Sequence, residues 1–278
     1  MAEDQQDRDI KRYRQTGLLS DPVASPRELP KHADVEKGTE KMDGILESDA
    51  FDDVMHSQAW REKLLDLNAT IADCLRRNDE PVRMNGNLFY RHKQRDFYDQ
   101  PWIPDFDAKR RNFFTLARRS EKLFEIGVNG GHSMLLALMA NPDLKCVGID
   151  VCAQLDPSWA RVDIYAPVAF RWLETNFPGR VELLTGNSLV VAPQYALDHS
   201  GAGIDFLHLD GAKDTHLREV LALRDVMKNG AYIVHDDFNA GPVRLSDRQL
   251  RRIKITQEID FEEAGLIENR WHTVRRLT

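Results

Sequence analysis

The sequence predicts a doubly wound α/β sandwich preceded by a helical extension. Three observations support this. From Ser120 onward, short apolar runs alternate with segments of helical periodicity. The runs are almost continuously hydrophobic, as strands buried on both faces of a parallel sheet must be. Before Ser120 the apolar residues recur at helical spacing and no such alternation is present.

In chain order, residues 1–50 are polar: 15 of the 50 are hydrophobic, against 42% for the whole chain. Pro22, Pro26 and Pro30 interrupt any helix there, so the stretch reads as a flexible arm. Residues 51–119 form the helical extension. SQAWREKLLDLNATIADCLRR sets Trp60, Leu64, Leu67, Ile71 and Leu75 on one stripe at 3.6-residue spacing. The aromatic group Phe89, Tyr90, Phe97, Tyr98 and Trp102 follows, cut by Pro101 and Pro104. It reads first as packing and second as a roof over a substrate.

Residues 120–278 carry the core. Strands are expected at KLFEIG, KCVGID, RVELLTG, IDFLHLD and AYIVHDD. Helices are expected at HSMLLALMA, YAPVAFRWLETNF and LREVLALRDVMK, and two final strands near a sheet edge in the tail.

Composition narrows the function. The 278 residues carry 38 Lys+Arg against 45 Asp+Glu, a net charge of −7, which argues against gripping a nucleic-acid backbone. The apolar runs are strand-sized, short of the roughly 20 residues of a membrane span. The opening MAEDQQDRDIKRYRQ lacks the apolar segment of a secretory signal. Three cysteines make neither a disulfide framework nor a close metal-ligand pair. A cytoplasmic protein acting on a small molecule, with no nucleic-acid or membrane partner, is expected.

In such a sheet, ligands bind beyond the carboxyl ends of the strands, at the point where strand order reverses. The first strand runs into Gly127, Gly130, Gly131 and the helix start at His132 and Ser133, a tight turn beside unpaired N–H donors. The spacing is not that of the G-x-G-x-x-G dinucleotide fingerprint. The second strand ends in Asp150, where a carboxylate can accept both ribose hydroxyls. The fourth and fifth strands end in Asp210 and in His235-Asp236-Asp237. Three converging carboxylates repel, and oxygen-only ligands suit Mg²⁺ or another hard divalent cation rather than zinc. The plainer alternative is that Asp236 and Asp237 only cap a turn.

These segments, in this order, resemble class I methyltransferases that use S-adenosylmethionine (SAM). Within them the sequence is similar to metal-dependent O-methyltransferases of the catechol and caffeoyl-CoA kind and of the macrolide-sugar kind. The resemblance implies a Rossmann-like, seven-stranded methyltransferase sandwich. LFEIGVNGGHS resembles the glycine-rich first motif, which implies cofactor contacts at Glu125, Gly127, Asn129, Gly131, His132 and Ser133. GID resembles the ribose-binding acid at Asp150, and LLTGNS the strand end flanking adenine through Asn187 and Ser188. HLDGAKDTH resembles an Asp-x-x-Lys-Asp segment, which implies Asp210 as metal ligand beside the cofactor and Lys213 as general base. IVHDD falls where the second and third metal ligands, Asp236 and Asp237, would stand. Catechol-type members usually have Asn at the last position, and sugar-modifying members often have His at the position of Lys213.

The activity implied is methyl transfer from SAM to a hydroxyl of a phenol, a catechol or the sugar of a natural product. Helices over the site and pairing into a homo-oligomer are further implications. His235 is the alternative base, His208 a hydrogen-bonded core residue and His216 a surface residue. Trp159 is placed near the adenine. Other readings are a metal-independent methyltransferase with structural acids, a nucleotide-binding or NAD-linked protein, and a SAM-binding module without catalysis.

Overall fold

The computed structural model describes residues 47–95, 97–98 and 102–278. Residues 47 onward belong to one unit, Gly44–Thr278. The arm expected over 1–50 lies outside the described residues up to position 46. Residues 47–50 already belong to helix α1, Glu47–His56. Helix α2, Gln58–Arg77, opens at Ser57, whose hydroxyl accepts the Trp60 N–H at 3.1 Å. Its stripe Trp60, Leu64, Leu67, Ile71 and Leu75 is buried, as the periodicity predicts. A short ladder pairs Arg83–Met84 with Gln94–Arg95. Helix α3, Asp107–Arg118, then leads into the core.

Seven strands form one sheet: β1 Lys122–Ile126, β2 Lys145–Asp150, β3 Val181–Thr185, β4 Ile204–Leu209, β5 Met227–His235, β6 Thr256–Glu258 and β7 Thr273–Leu277. Their order is β3-β2-β1-β4-β5-β7-β6. The pairings from β3 to β5 are parallel, and β7 is antiparallel to both β5 and β6. Strand order reverses between β1 and β4, which places the binding crevice at their carboxyl ends. The connecting helices are α4 His132–Ala140, α5 Val162–Asn176, α6 Ser188–Asp198, α7 His216–Leu223 and α8 Gly241–Arg252. Helix α7 is shorter than the sequence suggests. It ends at Leu223 in a 3₁₀ turn, and Met227 and Lys228 already belong to β5.

The two faces of the sheet bury different sets. Leu123, Phe206 and Val234 pack toward the extension and α4–α5, whereas Phe124, Ile126, Leu207, Leu209 and Ile233 pack toward α6–α8. Because side chains alternate along a strand, Glu125 follows Leu123 onto the extension side. His208 lies opposite Glu125 in the β1/β4 register, and Val234 opposite His208 in β4/β5. Asp236, two residues past Val234, continues that side. His235 falls on the other face. Sheet alternation thus lines up Glu125, His208 and Asp236 before any side chain is considered.

Candidate active site

The strand ends at the crevice are tied together by backbone. Gly127 N–H donates to Ile149 O at 2.8 Å, Asp210 N–H to Ile126 O at 2.8 Å, and Asp236 N–H to Leu209 O at 3.0 Å. Gly127 has φ +91°, and a Cβ there would come within 2.6 Å of the Asp210 carbonyl carbon. Only glycine lets β1 and β4 end so close together. Asn129 has φ +54° and is clamped in place. Its N–H donates to Asp150 Oδ2 at 2.8 Å, its Nδ2 to Gly86 O at 3.0 Å, and its Oδ1 accepts the Tyr165 hydroxyl at 2.5 Å.

Asp150 sits at the end of β2, 8% exposed. Its two oxygens take backbone N–H groups of Asn129 and Cys152, each at 2.8 Å. No cation is paired with it in an ion pair among the described residues, and burial raises its pKa against the pull of those two N–H groups. Each oxygen keeps lone pairs for further donors. Asn187 caps α6 through the Leu189 N–H, and Ser188 donates to Glu219 Oε1 at 2.6 Å. Glu219, on α7, is fully buried.

Not every residue expected at the cofactor faces it. Glu125 is fully buried and accepts Ser133 Oγ at 2.6 Å and His208 Nδ1 at 2.7 Å through the same oxygen, Oε1. It acts from beneath the turn. His132 turns toward the extension: its Nε2 lies 2.8 Å from Asn68 Oδ1, and its ring packs edge-on against Tyr90. Burial lowers its pKa to about 3. Gly131, at φ +77°, has Leu173 where a Cβ would go. The aromatic residues Phe89, Tyr90 and Phe97 are buried core. Trp159 remains exposed, its ring against His92.

The acids at the ends of β4 and β5 lie near one another, with lysines between them. Lys213 Nζ reaches Asp210 Oδ1 and Asp237 Oδ2, both at 2.9 Å. Lys109 Nζ, from the first turn of α3, donates to Asp236 Oδ2 at 2.6 Å. Asp236 Oδ1 accepts the Asp237 N–H at 2.7 Å, and His208 Nε2 stands 3.8 Å from Oδ2. Asp237 itself is left-handed at φ +50°. Among the described residues, no group of three or more His, Cys, Asp or Glu is arranged to hold a metal ion. The metal-ligand set Asp210, Asp236 and Asp237 expected from the sequence is thus met by ammonium groups, and the extra partner is one the sequence reading missed. Lys109 lies one helical turn before Phe113, on the buried side of α3. A lysine on an apolar stripe was the available signal.

The titrations follow this pairing. Burial and Asp236 push Asp210 up to about 6 against Lys213. Burial works to raise Asp236 too, but Lys109, His208 and Lys213 hold its carboxyl well below the usual range. Burial alone would lower His208, yet its contacts with Asp236 and Glu125 carry it up to about 9. Lys213 is pushed up, because Asp210, Asp237 and Asp236 outweigh its burial. A lysine so held stays protonated, which does not suit the general-base role expected for it. His235 is no better placed. It is fully buried, its ring stacks on His216 with the two Nδ1 atoms 3.2 Å apart, and burial lowers its pKa to about 4. His216, expected on the surface, is equally buried and lowered to about 2.

Fold and strand-end geometry together define a doubly wound α/β protein with its crevice at the β1/β4 switch. Residues 124–238, from β1 to just past β5, match the family described as a methyltransferase domain. No protein among the curated sequences matches the chain. Solved structures with a similar fold include Rv0187 from MTB in cofactor-bound form, at 17% identity over 83% of this chain and 95% of that one, TM-score 0.49. The O-methyltransferase TomG from Streptomyces achromogenes, in complex with SAM, is similar at 18% identity over 76% and 89%, TM-score 0.47. CalS11, a TDP-rhamnose 3′-O-methyltransferase of calicheamicin biosynthesis, is similar at 15% identity over 60% and 76%, TM-score 0.46.

Proposed function

We propose that the protein transfers a methyl group from SAM to a hydroxyl of a small molecule, such as a phenol, a catechol or a sugar of a natural product. The observation that carries this reading is the Asp150 carboxylate, held by two backbone N–H groups at the end of β2, beside a glycine turn and inside the matched domain. A nearly buried acid with free lone pairs suits the two hydroxyls of a ribose. The residues fit an adenosyl group in other respects too: Asn129 is clamped at the turn, and Asn187 and Ser188 open α6. When bound, SAM supplies an electrophilic sulfonium methyl open to in-line displacement, which rewards close alignment of the acceptor oxygen.

The chain's part is to hold and deprotonate that oxygen. Of the three acids, Asp210 and Asp237 reach solvent, with side chains 25% and 46% exposed, while Asp236 is 2% exposed. Asp210 is the acid that takes the hydroxyl proton. Lys213, 30% exposed between Asp210 and Asp237, places positive charge beside the oxygen anion that forms. With the O–H proton held on Asp210, the acceptor's electron pair would be free for the methyl group that bound SAM would supply. The Mg²⁺ expected from the resemblance does not fit the arrangement, since ammonium nitrogens already stand against each of the three carboxylates. No step is routed through it. The three cysteines, none in a disulfide, agree with a reducing, cytoplasmic setting.

Calorimetric titration of S-adenosylhomocysteine (SAH) into the purified protein tests the reading. Saturable one-to-one binding is expected, and absence of binding would remove the cofactor and with it the function.

A further inference from the structure

We propose that the ammonium group of Lys109 takes, inside the Asp210–Asp236–Asp237 cluster, the place of a divalent cation, so that the site works without one. The inference rests on the methyl-transfer reading for its chemistry but on separate observations for its geometry.

Lys109 is not a surface lysine folded over an acid. Its side chain is 6% exposed and that of Asp236 2%, and their atoms approach to 2.6 Å. The two residues lie 127 positions apart, on α3 and at the end of β5, so this contact exists only because the extension packs onto that edge of the crevice. The Phe106 ring lies 5.1 Å from Lys109 Nζ, and Trp271 packs edge-on against Phe106 at 5.3 Å. The ammonium is therefore backed by an aromatic face, which favours a fixed cation. Both oxygens of Asp236 are engaged inside the protein: Oδ2 takes Lys109, and Oδ1 takes the Asp237 N–H.

Lys109 and Lys213 between them already stand against all three carboxylates of the cluster. Mg²⁺ also demands oxygens at close to 2.1 Å in octahedral array. To admit it, Lys109 would have to leave a carboxylate with which it is buried.

The division of labour between the two lysines then becomes clear. Lys213 is open to the crevice and can meet the acceptor. Lys109 is closed off, its side chain 6% exposed against Asp236. It is a positioning residue, which holds Asp236 and through it the left-handed turn at Asp237.

The test is Mn²⁺ titration followed by electron paramagnetic resonance on the full-length protein, as wild type, Lys109→Ala and Lys109→Gln, with a thermal melt of each. Wild type should show no saturable Mn²⁺ binding up to about 1 mM. A variant that has lost the ammonium should bind Mn²⁺ at least about tenfold more tightly than wild type and gain Tm on its addition. Stoichiometric Mn²⁺ binding by wild type would overturn the proposal, as would variants that fold but gain no affinity. If neither variant folds, the wild-type titration decides: stoichiometric binding refutes the proposal, and its absence together with SAH binding in excess chelator upholds it. Titrating SAH into the same samples tests the methyl-transfer reading on its own. A wild type that binds neither SAH nor Mn²⁺ while the variants gain Mn²⁺ affinity would refute the function and leave Lys109 as inferred.

Discussion

The two halves of the crevice treat their acids in opposite ways. At the end of β2, Asp150 has, among the described residues, backbone N–H partners and no ion-paired cation. At the ends of β4 and β5, Asp210, Asp236 and Asp237 each meet an ammonium. The physical consequence follows from what each half must do. A carboxylate that is to accept two neutral hydroxyls should be ordered yet unsatisfied, and two fixed N–H groups achieve that. Acids grouped within a few ångströms cannot remain ionised without counter-charge. One half is left short of partners and the other is completed from within.

Breaking the completed half should have the larger effect. Asp236→Ala leaves Lys109 and the His208 imidazolium buried with no carboxylate between them. The expected cost is about 3–5 kcal/mol of stability, measured by urea unfolding. The double variant Lys109→Met/Asp236→Leu removes the pair as a unit and should recover most of that loss. A single variant as stable as wild type would show that the pair does not hold the strand ends together.

In the open half, Asp150→Ala should spare the fold and weaken SAH binding. Losing hydrogen bonds to a charged acceptor is worth roughly 2 kcal/mol, or about thirtyfold in Kd. Calorimetry reads this directly. Unchanged affinity would separate Asp150 from the ribose.

How much of this difference can be read from the sequence depends on its range. Strand-helix alternation, the glycine turn and the stripe of α2 are local patterns, and each appears in the structure where periodicity places it. Asp150 and Asp210 end their strands for the same reason. The partner that completes Asp236 comes from 127 residues earlier, and no spacing rule connects the two. The orientation of His132 escapes the sequence for a related reason. It does open α4, but the extension packs over that helix start, so Asn68 and Tyr90 meet the ring where ligand was expected. His216 shows the same blind spot, because a polar residue in a short helix gives no sign that it will be stacked on His235.

His132 also provides a pH probe of how the extension docks. Its folded pKa, about 3, lies below the unfolded value near 6.5 because burial disfavours the cation. Its contribution is complete above about pH 6.5 and declines as pH falls toward the folded value, by up to roughly 1.4 kcal/mol per unit. His132→Gln keeps a polar group toward Asn68 but cannot be protonated. Its Tm should therefore fall less than that of wild type between pH 6.5 and 5, although it starts lower. Parallel pH profiles would mean that His132 is not the group that senses acid there.

The smallest change in stability is expected at Lys213, and there the two lysines part company. Lys213 is 30% exposed and its partners are open to water, so Lys213→Gln should cost less than about 1 kcal/mol of stability. Solvent screens both carboxylates once the ammonium is gone. SAH affinity should stay within about twofold, since binding is assigned to the other half of the crevice. Turnover should nevertheless fall steeply, because a charge beside a developing oxygen anion is worth roughly 10²-fold or more. A loss of stability comparable to that of Asp236→Ala would place Lys213 in the same structural role as Lys109.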